Sequence, residues 1–233
     1  MRAYLRSCLC VIGFLVVAGC APQVESDGST TDVPPTAERV FAEMEERLLR
    51  APTLHLRYTA ISEGAFSASL SGTVNIAQPD GFDLDATGTF GDSPVEAFLR
   101  SSGDGLEGES NEREIRTELP PALHEAVLIG LTRMGVLHNL ARLTTGAIPD
   151  HASGGVQDWV MVEEVRFDPD ADGPRPDLTA IRFSIIVSGQ RTAEATVWVD
   201  PATGLPVHRV QVVNFPSGQM RVTESYEFLT GAM

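Results

Sequence analysis

Residues 54–60 read Leu54-His55-Leu56-Arg57-Tyr58-Thr59-Ala60, and their strict alternation of apolar with polar side chains decides what kind of fold surrounds them. A period of two places every second side chain on one face of a strand. The stretch is therefore a half-buried antiparallel strand with its polar face in water. The same alternation returns in Phe66, Ala68, Leu70, Val74 and Ile76 after a turn at Glu63-Gly64. It returns again in Phe82, Leu84 and Ala86 after Gln78-Pro79-Asp80-Gly81, and in Val95, Ala97 and Leu99 after Gly91-Asp92-Ser93-Pro94. Gly103-Asp104-Gly105 turns the chain once more, and turn residues of this kind join consecutive strands into a meander. Upstream, Thr36 stands where a helix cap belongs, with Glu38 in the first turn. Val40, Phe41, Met44 and Leu48 fall on one helical stripe, which Pro52 ends.

The period changes after the meander. Pro120 and Pro121 suit a helix start, and Leu123, Val127, Leu131 and Met134 mark an inner stripe. Ala126, Leu128 and Ile129 widen the apolar surface well beyond a stripe, and a helix apolar on most sides is buried on most sides. Gly130 and Gly135 divide it into two pieces, the second over 136–143, stopping at Gly146 with Pro149 beyond. Two readings fit it: a core helix against a sheet, or a helix plugging a concave apolar surface. Strands then resume at 159–167, 178–187, 191–199, 207–213 and 219–228, separated by turns such as Asp170-Ala171-Asp172-Gly173 and Pro216-Ser217-Gly218. Some nine or ten strands reach the limit, about 10, beyond which an open twisted sheet usually curls. The expected fold class is α+β, mostly antiparallel β, a strongly curved sheet with helices in its hollow.

The first twenty residues carry a different message. Arg2 and Arg6 precede an apolar run over 9–17, which ends in Val17-Ala18-Gly19-Cys20. Basic start, short apolar run and small residues before a cleavage point describe a secretory signal peptide, and the run is too short for a membrane span, which needs ~20 residues. Cysteine directly after Val-Ala-Gly resembles the lipobox of bacterial lipoproteins. The resemblance implies cleavage before Cys20 and acylation of its thiol and new amino group. Two or more acyl chains anchor stably, at ~0.8 kcal/mol per buried CH₂. The chain then divides into a signal peptide, 1–19, a lipidated cysteine with flexible linker, 20–35, and a folded domain, 36–233. The linker, Gly/Ser/Pro-rich and without periodicity, reaches roughly 20 Å as a coil. In enteric-type sorting an Asp after the cysteine signals inner-membrane retention. Ala21 stands there instead, which favours the outer membrane, facing the periplasm.

Net charge is −15 and becomes more negative when Arg2 and Arg6 leave. Phosphate backbones repel such a surface, so nucleic acid is not an expected partner. Cys8 and Cys10 leave with the signal peptide and Cys20 is taken by lipid. No disulfide is then available within the mature chain, and the apolar core alone must hold the fold.

An amphipathic helix, a meander with a proline turn after its second strand, a helical middle and a closing meander containing Trp198-Val199-Asp200-Pro201-Ala202-Thr203-Gly204-Leu205-Pro206 form an order similar to the LolA and LolB lipoprotein carriers. It also resembles the mycobacterial LppX/LprG lipoproteins. The resemblance covers about 36–228. It implies an unclosed antiparallel half-barrel whose concave face, lined by apolar side chains and lidded by helices, receives acyl chains. Gln78-Pro79 stands where the LolA carriers have a basic residue before proline that helps hold the lid.

The apolar wall expected from the alternation and the middle helix comprises Leu56, Tyr58, Phe66, Leu70, Leu84, Leu99, Leu123, Val127, Leu131 and Met134. Its expected occupants are acyl chains of a lipid or lipoprotein, taken for transfer or sensing. The second reading is a periplasmic protein partner bound by a filled scaffold of the RseB signalling type. No catalytic constellation is present: His124-Glu125 opens a zinc-protease pattern, but Leu128 occupies the second histidine's place, and no Gly-x-Ser-x-Gly elbow occurs. Neither a cofactor nor an enzymatic activity is therefore expected. Asp168, Asp170, Asp172 and Gly173 match the opening of a calcium loop, but Thr179 stands where its bidentate acid belongs. A solvated acidic turn is the preferred reading there.

Overall fold

The computed structural model describes residues 34–79, 81–103, 105–119, 123–139 and 160–229. The chain separates into two units, Met1–Pro34 and Pro35–Met233, and every element below belongs to the second. Cys20, Trp159, the expected helix starts Pro120 and Pro121, and its stop at Gly146 and Pro149 lie outside the described residues.

Helix α1, Ala37–Arg50, begins where the sequence places it. Thr36 Oγ1 accepts from the Arg39 amide at 3.3 Å, and the buried residues Ala37, Phe41, Met44, Glu45 and Leu48 recur at helical spacing. Its last turn is held by Gln78, whose side-chain amide donates to the Leu49 and Ala51 carbonyls at 2.9 and 3.1 Å. Orphan carbonyls at a helix end need such donors. Gln78 thus contacts the first helix through hydrogen bonds without charge.

Among the described residues eleven strands follow: β1 Thr53–Gly64, β2 Ala68–Ala77, β3 Gly81–Phe90, β4 Ser93–Ser102, β5 Gly105–Ser110, β6 Arg113–Glu118, β7 Val160–Phe167, β8 Thr179–Val187, β9 Gln190–Asp200, β10 Leu205–Phe215 and β11 Gly218–Phe228. They form one sheet in the order β6-β5-β4-β3-β2-β1-β11-β10-β9-β8-β7. Two hairpin-connected meanders are thus joined where β1 pairs with β11, Tyr58 opposite Tyr226. All the pairings are antiparallel. The two edges, β6 and β7, do not pair with each other, so the sheet is an unclosed half-barrel. Helix α2, Leu123–Arg133, lies in the connection between those edges.

Strands β5 and β6 are absent from the sequence reading. Each offers little alternation: Leu106 and Gly108 are buried in the first, Ile115 alone in the second, among six acidic or basic residues. An edge strand needs few buried side chains, and charge on an edge discourages pairing with another chain. Phe66 also departs from expectation. It falls before β2 in the β1–β2 turn and is 45% exposed, resting on Phe90 and Phe215 at ring distances of 6.4 and 5.4 Å.

The core has two main parts. The larger gathers inner-face residues of β1 to β6, together with Leu205, Val222 and Tyr226, around α2 and Leu48. The smaller packs Ala37, Phe41 and Met44 of α1 on the inner faces of β7, β8 and β9, with the Phe41 and Phe183 rings edge to face at 4.9 Å. Helix α1 therefore spans both.

Candidate ligand cavity

Within the larger cluster, Leu56, Tyr58, Leu70, Leu84 and Leu99 from the strands meet Leu123, Val127 and Leu131 from α2. Eight of the ten expected wall residues are thus brought together. Met134 instead packs, half-buried, against the smaller cluster, and Phe66 stands outside the trough altogether. The eight face one another and leave little room. Between the sheet and α2 lies a void of about 20 Å³, lined by residues including Leu56, Leu84, Val127, Leu131 and Val136. One water needs ~10–15 Å³, so this space does not hold an acyl chain. Both readings of the middle helix place it packed on the inner face of the sheet, and that is what is seen.

Two buried ionic groups hold the helix. Arg133, in the last turn of α2, donates from Nε and Nη2 to Glu45 of α1 at 2.8 and 2.7 Å, and from Nη1 to the Val160 carbonyl of β7 at 2.7 Å. Thr132 adds its hydroxyl to the same carboxylate at 2.7 Å. A guanidinium engaging both oxygens of one carboxylate is a strong, directional pair. The second group is centred on Arg209, which is fully buried. It donates to Glu224 at 3.3 Å, to the Arg133 carbonyl at 2.8 Å and to Gln211 at 2.6 Å. Glu224 accepts in turn from the Leu137 amide at 3.0 Å and from the Tyr226 hydroxyl at 2.5 Å. Burial, reinforced by the Glu224 charge, pushes the Tyr226 phenol well above its ordinary pKa, so it remains a donor. Burial likewise raises Tyr58, whose hydroxyl donates to the Asp85 carbonyl at 3.2 Å.

Gly135 makes this arrangement possible. It breaks the helix at φ +88°, a value that L side chains rarely adopt. Residues 136–139 then resume helical structure, where Leu137 meets Glu224. Gly130 does not break α2. A side chain there would overlap Asn139, so its smallness serves the fold-back of 136–139.

A larger cavity lies elsewhere, at the end of the half-barrel where β1 and β10 begin and β11 finishes. Its volume is about 460 Å³ and it opens to solvent. Leu48 and Ala51 at the end of α1, Leu54 of β1, Leu205 and Val207 of β10, and Tyr226, Phe228 and Leu229 make its apolar walls. Arg47, His55, Asp200, Thr203 and Glu227 complete the lining. Each of the two carboxylates already has a cation: Asp200 accepts from Arg175 at 3.0 Å, and Glu227 from Arg57 at 2.6 Å. The Asp200 carboxyl is held below its usual range first by the Ala202 amide and then by Arg175. None of the ten residues expected from the sequence lines this cavity. The missed signal was positional, since the lining comes from the ends of strands beside turns, where alternation is weakest.

The acidic turn engages its own surroundings, with Asp168 facing Arg182 at 3.8 Å. Among the described residues, no three His, Cys, Asp or Glu side chains gather as a metal site would require. His124 Nε2 lies 3.1 Å from the Gly81 carbonyl, tying α2 to β3. No described helix is long and apolar enough to cross a membrane.

The chain is similar to LprF and LolA superfamily structures. A crystal structure of LprF from Mycobacterium bovis aligns at 11% identity over 84% of this chain and 94% of that one, with a TM-score of 0.41. A LolA superfamily protein from Nitrosomonas europaea aligns at 8% over 83% and 92%, with a TM-score of 0.32. MucB aligns at 14% over 84% of this chain and 59% of its own length, with a TM-score of 0.36. No family model and no curated protein sequence matches the chain. At this distance the overlaps do not bear on partners or cargo. The open half-barrel follows from the chain's own strand register.

Proposed function

We propose that this protein is a bacterial envelope lipoprotein that binds acyl chains of a lipid or lipoprotein, for transfer or sensing, and that it performs no catalysis. In this reading it is cleaved before Cys20 and anchored through that residue at the outer membrane. The 20–35 linker holds the 36–233 domain at the periplasmic surface. The observation that supports cargo binding is the open apolar cavity of about 460 Å³, within the ~300–1,000 Å³ usual for small-molecule sites. An acyl chain has no polar handle along its length, so apolar walls suffice to bind it.

The test uses the Cys20→Ser chain, which has no lipid of its own. Native mass spectrometry after incubation with palmitate is expected to show one bound ligand per chain. Bare protein throughout would contradict the reading. The filled trough under α2 and its buried ionic ties favour a second reading, an RseB-like interaction module. Recovery of one stoichiometric protein partner from envelope extracts, with no lipid on the chain, would support that instead.

A further inference from the structure

The end cavity has an asymmetric rim, and its asymmetry concerns charge. Helix α1 carries three arginines. Arg39 pairs with Glu43 and Arg50 with Glu46, each four residues away, while Arg133 covers the buried Glu45. The third, Arg47, lines the mouth and has no ion pair or hydrogen bond among the described residues. Its guanidinium lies over the turn before β10. A methyl on Gly204, which sits at φ +68°, would stand 2.9 Å from Arg47 Nε. The acids beside it are not available as partners, because Asp200 and Glu227 are each bonded to another arginine. Half-buried His55 lines the same mouth. The opening therefore joins apolar walls to an uncompensated cation.

Resting on the acyl-binding reading above, we infer that the cavity selects amphiphiles with an anionic head, carboxylate or phosphate, whose tail enters between Leu48, Leu205 and Phe228 while the head meets Arg47. A guanidinium fork matches the two oxygens of either head group. A neutral head of the same tail length would forgo that contact, and a cationic head would meet repulsion. The surrounding acidic surface makes the discrimination local, since exposed charges beyond about 8–10 Å are largely screened in physiological salt.

The probes are palmitate, hexadecyl phosphate and hexadecanol, titrated against the Cys20→Ser chain below their aggregation limits. Both anions are expected to bind about tenfold more tightly than hexadecanol, as one partly exposed charge-assisted hydrogen bond implies. Arg47→Gln is expected to abolish that ratio by weakening the anions alone, and Arg47→Lys to retain most of it. Inorganic phosphate is expected not to displace palmitate, which separates an amphiphile site from a free-anion site. Equal binding of all three ligands, or equal loss of preference in Arg47→Gln and Arg47→Lys, would overturn head-group selection and leave acyl binding standing. Displacement by phosphate at comparable concentration would overturn it as well. Binding of none of the three would remove both.

Discussion

Glu224→Ala is expected to destabilise the fold by about 3–5 kcal/mol, the cost of breaking a buried ion pair by removing one partner. The carboxylate is 1% exposed and serves three donors: Arg209, the Leu137 amide and the Tyr226 hydroxyl. Its loss leaves a fully buried guanidinium without its counter-charge and frees the segment after Gly135 from the sheet. Chemical denaturation followed by tryptophan fluorescence reads the change. Glu46→Ala, which removes an exposed pair with Arg50, is the control and is expected to cost no more than about 1 kcal/mol. Similar midpoint shifts for the two variants would contradict the account. The combined Arg209→Met and Glu224→Leu replacement is expected to recover much of the loss, because a packed apolar pair carries no desolvation penalty.

Gly135→Ala is the second large effect, expected at about 2–5 kcal/mol from two sources. A Cβ at positive φ costs roughly 1–2 kcal/mol, and overpacking a filled site roughly 1–3 kcal/mol. The added methyl would overlap both Glu224 and Arg209, so the strain falls on the same ionic group. Gly189, also at positive φ but with nothing near its missing Cβ, separates the terms. Gly189→Ala is expected to show the backbone cost alone. Equal losses in the two variants would mean that the overlap at Gly135 relaxes freely.

These two residues also mark where the sequence was legible and where it was not. Period-two alternation in β1 to β4 and in the closing meander identified strands because each buries one face and wets the other. The same logic overlooked β5 and β6, whose edge position asks for little apolar content. The middle helix advertised its burial through Ala126, Leu128 and Ile129, yet nothing local says that Arg133 and Arg209 are buried too. Their partners, Glu45 and Glu224, are respectively 88 and 15 positions away along the chain, and such pairings are set by topology. The wall residues were recognised as apolar and inward, and eight of them do converge. Whether converging side chains enclose a space or fill it depends on packing at the scale of a methyl group, which composition does not encode. Here they fill it, and the open volume falls at the strand ends instead.

The measurement that bears most directly on this account is the location of a bound acyl chain. A nitroxide-labelled stearate added to the isotope-labelled Cys20→Ser chain is expected to broaden the amide resonances of Leu205, Phe228 and Leu229. Those of Leu84, Val127 and Leu131, packed between α2 and the sheet, are expected to stay sharp. Broadening centred on the second group would mean that the helix yields to cargo, and would contradict the placement of the site at the open end.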